Sequence, residues 1–285
     1  MRGQKMHYAR EAARFAVENL LPCDRLSVVL FDDHIETLVP STLGIGDDYS
    51  EGLLAAMARS GDGNFFHIES PDQLPSFFET ELSGLAATLG QRVSLGLEPG
   101  QGVRVREVLN DLDLTQTGRY KLPNLMVGTP IQVVVRLQVP ALGQPQELMR
   151  VRLAWDDPAL TTRQVLRAGL ELPLVNPEQF SDFPANATVQ EQVALLMAAR
   201  ARREAVMYSD QGDFAAAQQS LAEARQTLAD LDPSDMLMEE QESLADLEAD
   251  YREGNLSRAR KKAFSQSFNL SRSGRSKPRR SLDGE

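Results

Sequence analysis

The ten residues from Asp24 to Asp33 read Asp-Arg-Leu-Ser-Val-Val-Leu-Phe-Asp-Asp, an apolar run rich in β-branched residues and fenced by charge at both ends. Such a run is a buried strand, and a buried strand needs neighbours on both sides. Ahead of it Tyr8, Ala12, Phe15, Ala16 and Leu20 recur at helical spacing, with Arg10, Glu11, Arg14 and Glu18 on the opposite side, until Pro22 stops the helix. A second strand, Ile35 to Val39, follows directly. Pro40-Ser41-Thr42 then leads into a third, Leu43 to Ile45, with its loop through Asp48. Ser50 is placed to cap a helix carrying Leu53, Leu54 and Met57. Gly61-Asp62-Gly63 is a turn, and Asn64 to Ile68 is a fourth strand. Ser70-Pro71 or Asp72 opens a helix running to about Leu89. Helices alternating with short buried strands predict an α/β unit over residues 1–90.

From Gln91 the period changes to two. Val93, Leu95 and Leu97 alternate, then Ile131, Val133, Val135, Leu137 and Val139, then Val151, Leu153 and Trp155. Glycines and prolines punctuate the runs, so six or seven strands predict an antiparallel β-sandwich over residues 91–180, with Trp155 as a core anchor. The period returns to helical from Thr188 with Val189, Val193, Leu196 and Met197. After Gly212-Asp213 come Phe214, Ala217, Leu221, Ala224, Leu228 and Leu231; after Pro233 come Leu237, Leu244, Leu247 and Tyr251. Short connections imply antiparallel helices over residues 186–270. Gly212-Asp213-Phe214 with Ala217 and Ala224 resembles the turn and second helix of a tetratricopeptide repeat. Pro233 closes it a turn late and no second copy is read, so the expectation is a helical hairpin or three-helix cap.

Charge divides the chain. Its net charge is −11, yet beyond Leu256 nine Lys or Arg face two acids. The acidic body opposes nucleic acid. The basic end reads as a solvated tail over residues 271–285. Upstream of it Arg258, Arg260, Lys261, Lys262 and Phe264 are the candidate partner-binding residues, an electrostatic arm for an acidic partner or for the chain's own body. A lone Cys23 rules out an intrachain disulfide and fits a reducing, cytoplasmic setting. No secretory signal precedes the first helix, and no run of 18 apolar residues spans a membrane.

Gly3-x-Lys5-Met6, Asp24 to Val29 and Phe31-Asp32-Asp33 resemble the early part of a von Willebrand factor A (VWA) domain. Leu43-Gly44-Ile45-Gly46 with its helix, Gly63-Asn64-Phe65-Phe66 and Ile68 resemble the last part, and the whole layout is similar to bacterial cytoplasmic proteins of that family. The resemblance implies a Mg²⁺-type adhesion site at the C-terminal edge of the sheet. Its ligands are an Asp-x-Ser-x-Ser motif, a Thr on a middle loop and an Asp ending the fourth strand, and a partner's carboxylate completes the shell. No residue here matches those positions: Met1 falls just after the first motif, and the step from Thr42 to Leu43 skips the middle loop and the fourth strand. In the family the skipped strands are central, and a three-residue link cannot hold a parallel crossover of about a dozen residues. The expectation is that the strand at Leu26 to Phe31 pairs directly with Leu43 to Ile45, or leaves open edges through which chains self-associate. A truncated or spliced coding sequence would account for the gap.

No enzyme is read from these residues. Gly44-Ile45-Gly46 lacks the third glycine of a dinucleotide loop, and Asp47-Asp48 would repel a pyrophosphate. His7, His34 and His67 are the only histidines and none pair at ligand spacing. The fold class is therefore α/β plus all-β plus α: an incomplete VWA-like, Rossmann-like domain, a β-sandwich and a helical hairpin or bundle. The function is a non-enzymatic protein–protein interaction or scaffold protein without a cofactor, its metal-dependent adhesion lost. The rivals are a Mg²⁺-binding module rebuilt from Asp32, Asp33, Asp47 and Asp48, and a fragment of a longer, competent VWA protein.

Overall fold

Four helices start where a short polar side chain accepts from one of the orphan amides of the first turn. Ser50 Oγ accepts from Leu53 N–H, Asn186 Oδ1 from Val189, Asp213 Oδ1 from Ala216 and Ser234 Oγ from Leu237. The computed structural model describes residues 41–45, 49–61, 63–69, 88–157, 160, 162–172 and 174–273. The strands expected at Leu26 to Phe31 and Ile35 to Val39, most of the helix expected from Asp72, and residues 274–285 lie outside them.

Strand β1 (Thr42–Ile45), helix α1 (Glu51–Ser60) and strand β2 (Phe65–Ile68) form a βαβ unit. The strands are parallel, with Thr42 opposite Phe65 and Ile45 opposite Ile68. Leu54, Met57, Ala58 and Phe65 are buried between helix and sheet, and Thr42 Oγ1 donates to Leu54 O at 2.8 Å to tie the two layers.

The all-β region holds β3 (Thr88–Pro99), β4 (Arg104–Val108), β5 (Tyr120–Lys121), β6 (Leu125–Met126), β7 (Val135–Gln138), β8 (Glu147–Asp157) and β9 (Thr162–Glu171). Its main sheet is antiparallel in the order β5-β3-β8-β9, with β6 also on β3, and β4 and β7 make a separate two-stranded ladder. β3 begins at Thr88, so Thr88 and Leu89 lie in a strand where the end of a helix was expected; Gly90 lets the strand pass beneath the Trp155 ring, which packs against the core as expected. Ile131 and Val133 also pack on that core outside any strand; beside them the Asn110 side chain donates to Gln132 O and accepts from Val134 N–H, both at 2.9 Å. The run that reads as one long strand is therefore a strand for only four residues, Val135–Gln138.

Four helices close the chain: α2 (Ala187–Asp210), α3 (Phe214–Ala229), α4 (Asp235–Arg252) and α5 (Leu256–Ser273). α5 corrects two expectations. The helix continues through Ser271 and Arg272, both buried, so the tail does not begin at residue 271. It also supplies the second copy that the repeat reading lacked. Gly212 and Gly254 adopt φ of +78° and +82°, Asp213 N–H donates to Tyr208 O and Asn255 N–H to Asp250 O, each at 2.9 Å, and Ala217 and Ala259 are both fully buried. Only glycine enters that left-handed region cheaply, so Gly-Asp-Phe-x-x-Ala and Gly-Asn-Leu-x-x-Ala encode the same helix–turn–helix twice. α2 packs against α3 and α5, and α3 against α4. Among the described residues no helix is long and apolar enough to cross a membrane.

Candidate functional site

In a parallel sheet, ligands gather beyond the carboxyl ends of the strands. Among the described residues that edge carries two carboxylates, Glu69 directly after β2 and Glu51 in the first turn of α1. The N-terminal half of α5 lies against them. Arg258 Nη2 is 2.7 Å from Glu69 Oε2, and Lys262 Nζ is 3.6 Å from the other oxygen of the same carboxylate. Arg258 and Lys262 also approach Asp250, at 3.8 and 3.7 Å.

Arg260 and Lys261 share Glu51. Arg260 pairs with it and grips Asp210 with two nitrogens, at 2.6 and 3.1 Å. The hydrogen bond that Arg260 donates to Asp210, reinforced by the charge of Glu51, raises the Arg260 pKa above its ordinary value. Lys261 is 5% exposed; its Nζ lies 3.3 Å from Glu51, donates to Tyr49 O at 2.9 Å and sits 4.0 Å from the Tyr49 ring centroid. That ring lies flat over β1, where a Cβ on Gly44 would fall 2.2 Å from it. Gly44 thus makes room for Tyr49, Tyr49 OH hydrogen-bonds His67 Nδ1 at 2.8 Å, and the buried lysine closes the stack.

The C-terminal half of α5 runs antiparallel beside β2 and closes its edge. His67 N–H donates to Ser265 Oγ, Ser265 Oγ donates to Phe65 O at 3.2 Å, and Asn269 Nδ2 donates to the same carbonyl at 2.9 Å. Arg272 reaches Gly63 O at 2.6 Å. Phe264 and Phe268 meet Phe65 edge-on at 6.0 and 6.2 Å between centroids. A polar cleft of about 260 Å³ opens between β2, α2, α4 and α5, lined by His67, Glu239, Ser243, Asp246 and Lys262 among others. At its floor Arg202, fully buried, pairs with Glu240 and donates to Ser243 Oγ and Gln266 Oε1, both at 3.0 Å.

The structure thus brings Arg258, Arg260, Lys261, Lys262 and Phe264 together, each engaged within the chain. Asp32, Asp33, Asp47 and Asp48 lie outside the described residues, and among those described no group of three or more His, Cys, Asp or Glu could hold a metal ion. The sequence reading missed Arg202. Its signal was phase: Leu195, Ala198, Ala199, Arg202, Ala205 and Val206 share one buried face of α2, so the arginine interrupts an apolar stripe.

No family profile matches the chain, and no curated protein matches it. Solved structures do. A von Willebrand factor type A protein from Catenulispora acidiphila superposes with a TM-score of 0.53 at 19% identity, over 74% of this chain and 50% of that one. The ArnB paralog VWA2 from Sulfolobus acidocaldarius gives 0.49 at 20% identity, over 81% and 55%. The chain spans about half the length of the solved structures it matches. The first of these likenesses gives the chain a VWA-like α/β fold. At 74% of the chain the shared course runs beyond the first 90 residues, into the β and helical regions.

Proposed function

We propose that this chain of VWA-like fold is a non-enzymatic protein–protein interaction or scaffold protein of the cytoplasm that binds without a divalent cation. One observation carries the reading: Glu51 and Glu69, the described carboxylates at the carboxyl edge of the β1–β2 sheet, are already paired with Arg258, Arg260, Lys261 and Lys262. A hard cation needs several convergent oxygen donors, and four fixed positive charges beside that rim oppose its approach. The main sheet with its β4–β7 ladder then acts as a two-layer sandwich, and the two helical hairpins as a repeat-like cap. Calorimetric titration with Mg²⁺ and Mn²⁺ tests the reading. The expected result is no binding in the micromolar range; micromolar binding that disappears on Asp47→Ala would establish a rebuilt acidic site instead. The half-length match to the solved structures favours a second reading, a piece of a longer protein with its own metal motif, which in-frame codons for that motif and the skipped strands, ahead of Met1 and between the Thr42 and Leu43 codons, would establish.

A further inference from the structure

β9 ends the main sheet and pairs only with β8 among the described strands, from Thr162 opposite Asp157 to Glu171 opposite Glu147. Nearly all of its ten residues are exposed. Cross-strand partners share a face, so Leu166 beside Leu153, Ala168 beside Val151 and Leu170 beside Met149 extend the core-side face of the sheet. The core covers Met149, but Leu166, Leu170 and Leu172 stand 57%, 43% and 54% exposed. A long open edge with an apolar stripe is a template for another strand.

The opposite face says what that strand must carry. Arg152 lies between Gly96 of β3 and Arg167 of β9, and Arg119 approaches across Gly96. Like charges opposite one another destabilise a sheet. Arg152 Nη1 is buried without a hydrogen-bond partner, and desolvation first, then Arg119, Arg167 and Arg163, lower the pKa of Arg152. Arg163 has Asp156 at 2.7 Å, whereas Arg167 has no ion pair among the described residues. A carboxylate arriving opposite Arg167 would relieve the row.

We propose that β9 joins two copies of this chain, pairing antiparallel with β9 of a second copy about a two-fold axis through Gly169. In that register Ala168 faces Leu170, Arg167 faces Glu171 and Leu166 faces Leu172, each pair occurring twice. Glycine at the axis leaves no side chain to meet its own copy. An axis at Arg167 would set two arginines face to face, and an axis at Ala168 would set Val165 against Glu171 with Arg167 against Gly169. The ladder of seven residues is about 23 Å long and continues both main sheets into one. The inference rests on the chain being an interaction protein, but the dimer needs no metal, so its failure leaves the calorimetric result standing.

Sedimentation equilibrium of the full chain at concentrations up to about 100 μM tests it, in a range where weak interfaces are populated. The wild type is expected to dimerise. Arg167→Glu and Glu171→Arg should each weaken the dimer about tenfold, since each turns two attractive pairs into repulsive ones. The combined Arg167→Glu, Glu171→Arg chain should recover wild-type affinity, and Leu166→Lys should abolish the dimer. Circular dichroism confirms folding of every variant. A monomeric wild type would overturn the proposal, as would a dimer indifferent to these changes or single losses that the combined chain does not restore.

Discussion

β2 and β9 are both edge strands, and the chain treats them differently. β2 is short, its Phe65 is fully buried, and its edge groups at Phe65 and His67 are met by Ser265 and Asn269 of α5. β9 is two and a half times longer, and its outer edge meets no such helix among the described residues. A helix cannot continue a ladder, but polar side chains at i and i+4 can stand in for one where the strand is short. Lys261, Ser265, Asn269 and Arg272 form that stripe. Among the described residues no comparable element flanks β9, whose Arg167 and Glu171 are instead arranged to recognise their own copy.

The largest test of the sealed edge is at Arg202. It joins α2 to Glu240 and Ser243 on α4 and to Gln266 on α5, so it holds the sealing helix in place. Arg202→Met takes the buried arginine partner away from Glu240 and should cost about 3–5 kcal/mol in urea unfolding, while adding Glu240→Leu should recover most of it. A loss below about 1 kcal/mol would mean that the pair does not position α5. A smaller effect is expected from Ser265→Ala combined with Asn269→Ala. These changes strip the β2 edge of its partners and should cost about 1–3 kcal/mol, with faster hydrogen exchange at the His67 amide. An unchanged exchange rate there would remove the sealing role from α5.

The contrast between the edges also marks how far the sequence could be read. Caps, turns and periods were local and legible: Ser50 caps α1, Gly212 ends α2, and the alternation at Val93 and at Val151 lies on β3 and β8. α5 was harder because its composition is basic and serine-rich, and such composition reads as a solvated arm. Its apolar contacts come from Ala259, Ala263, Phe268 and Leu270, while its polar face is buried by partners about 200 positions away, as with Lys261 and Tyr49. Burial of a lysine is a property of the site and not of the segment. The one local clue was the recurrence of Gly-Asn-Leu-x-x-Ala after Gly-Asp-Phe-x-x-Ala. The exposure of β9 was equally hidden, since alternation alone predicts one covered face and cannot say that the cover stops at β8.

The smallest effect expected is the one that separates the two edges most cleanly. Leu166→Thr removes an apolar side chain from β9 and puts in its place a β-branched residue of good strand propensity. Because Leu166 is 57% exposed, little transfer free energy is lost in the isolated chain. Measured dilute enough to be monomeric, urea unfolding should shift by no more than about 0.5 kcal/mol. The same change measured where the dimer is populated should lower its apparent stability further, because dimerisation stabilises by mass action. A large loss in the dilute chain would show that Leu166 is covered within a single copy, making β9 a second sealed edge. Equal small losses at both concentrations would show that Leu166 is left uncovered by any second copy.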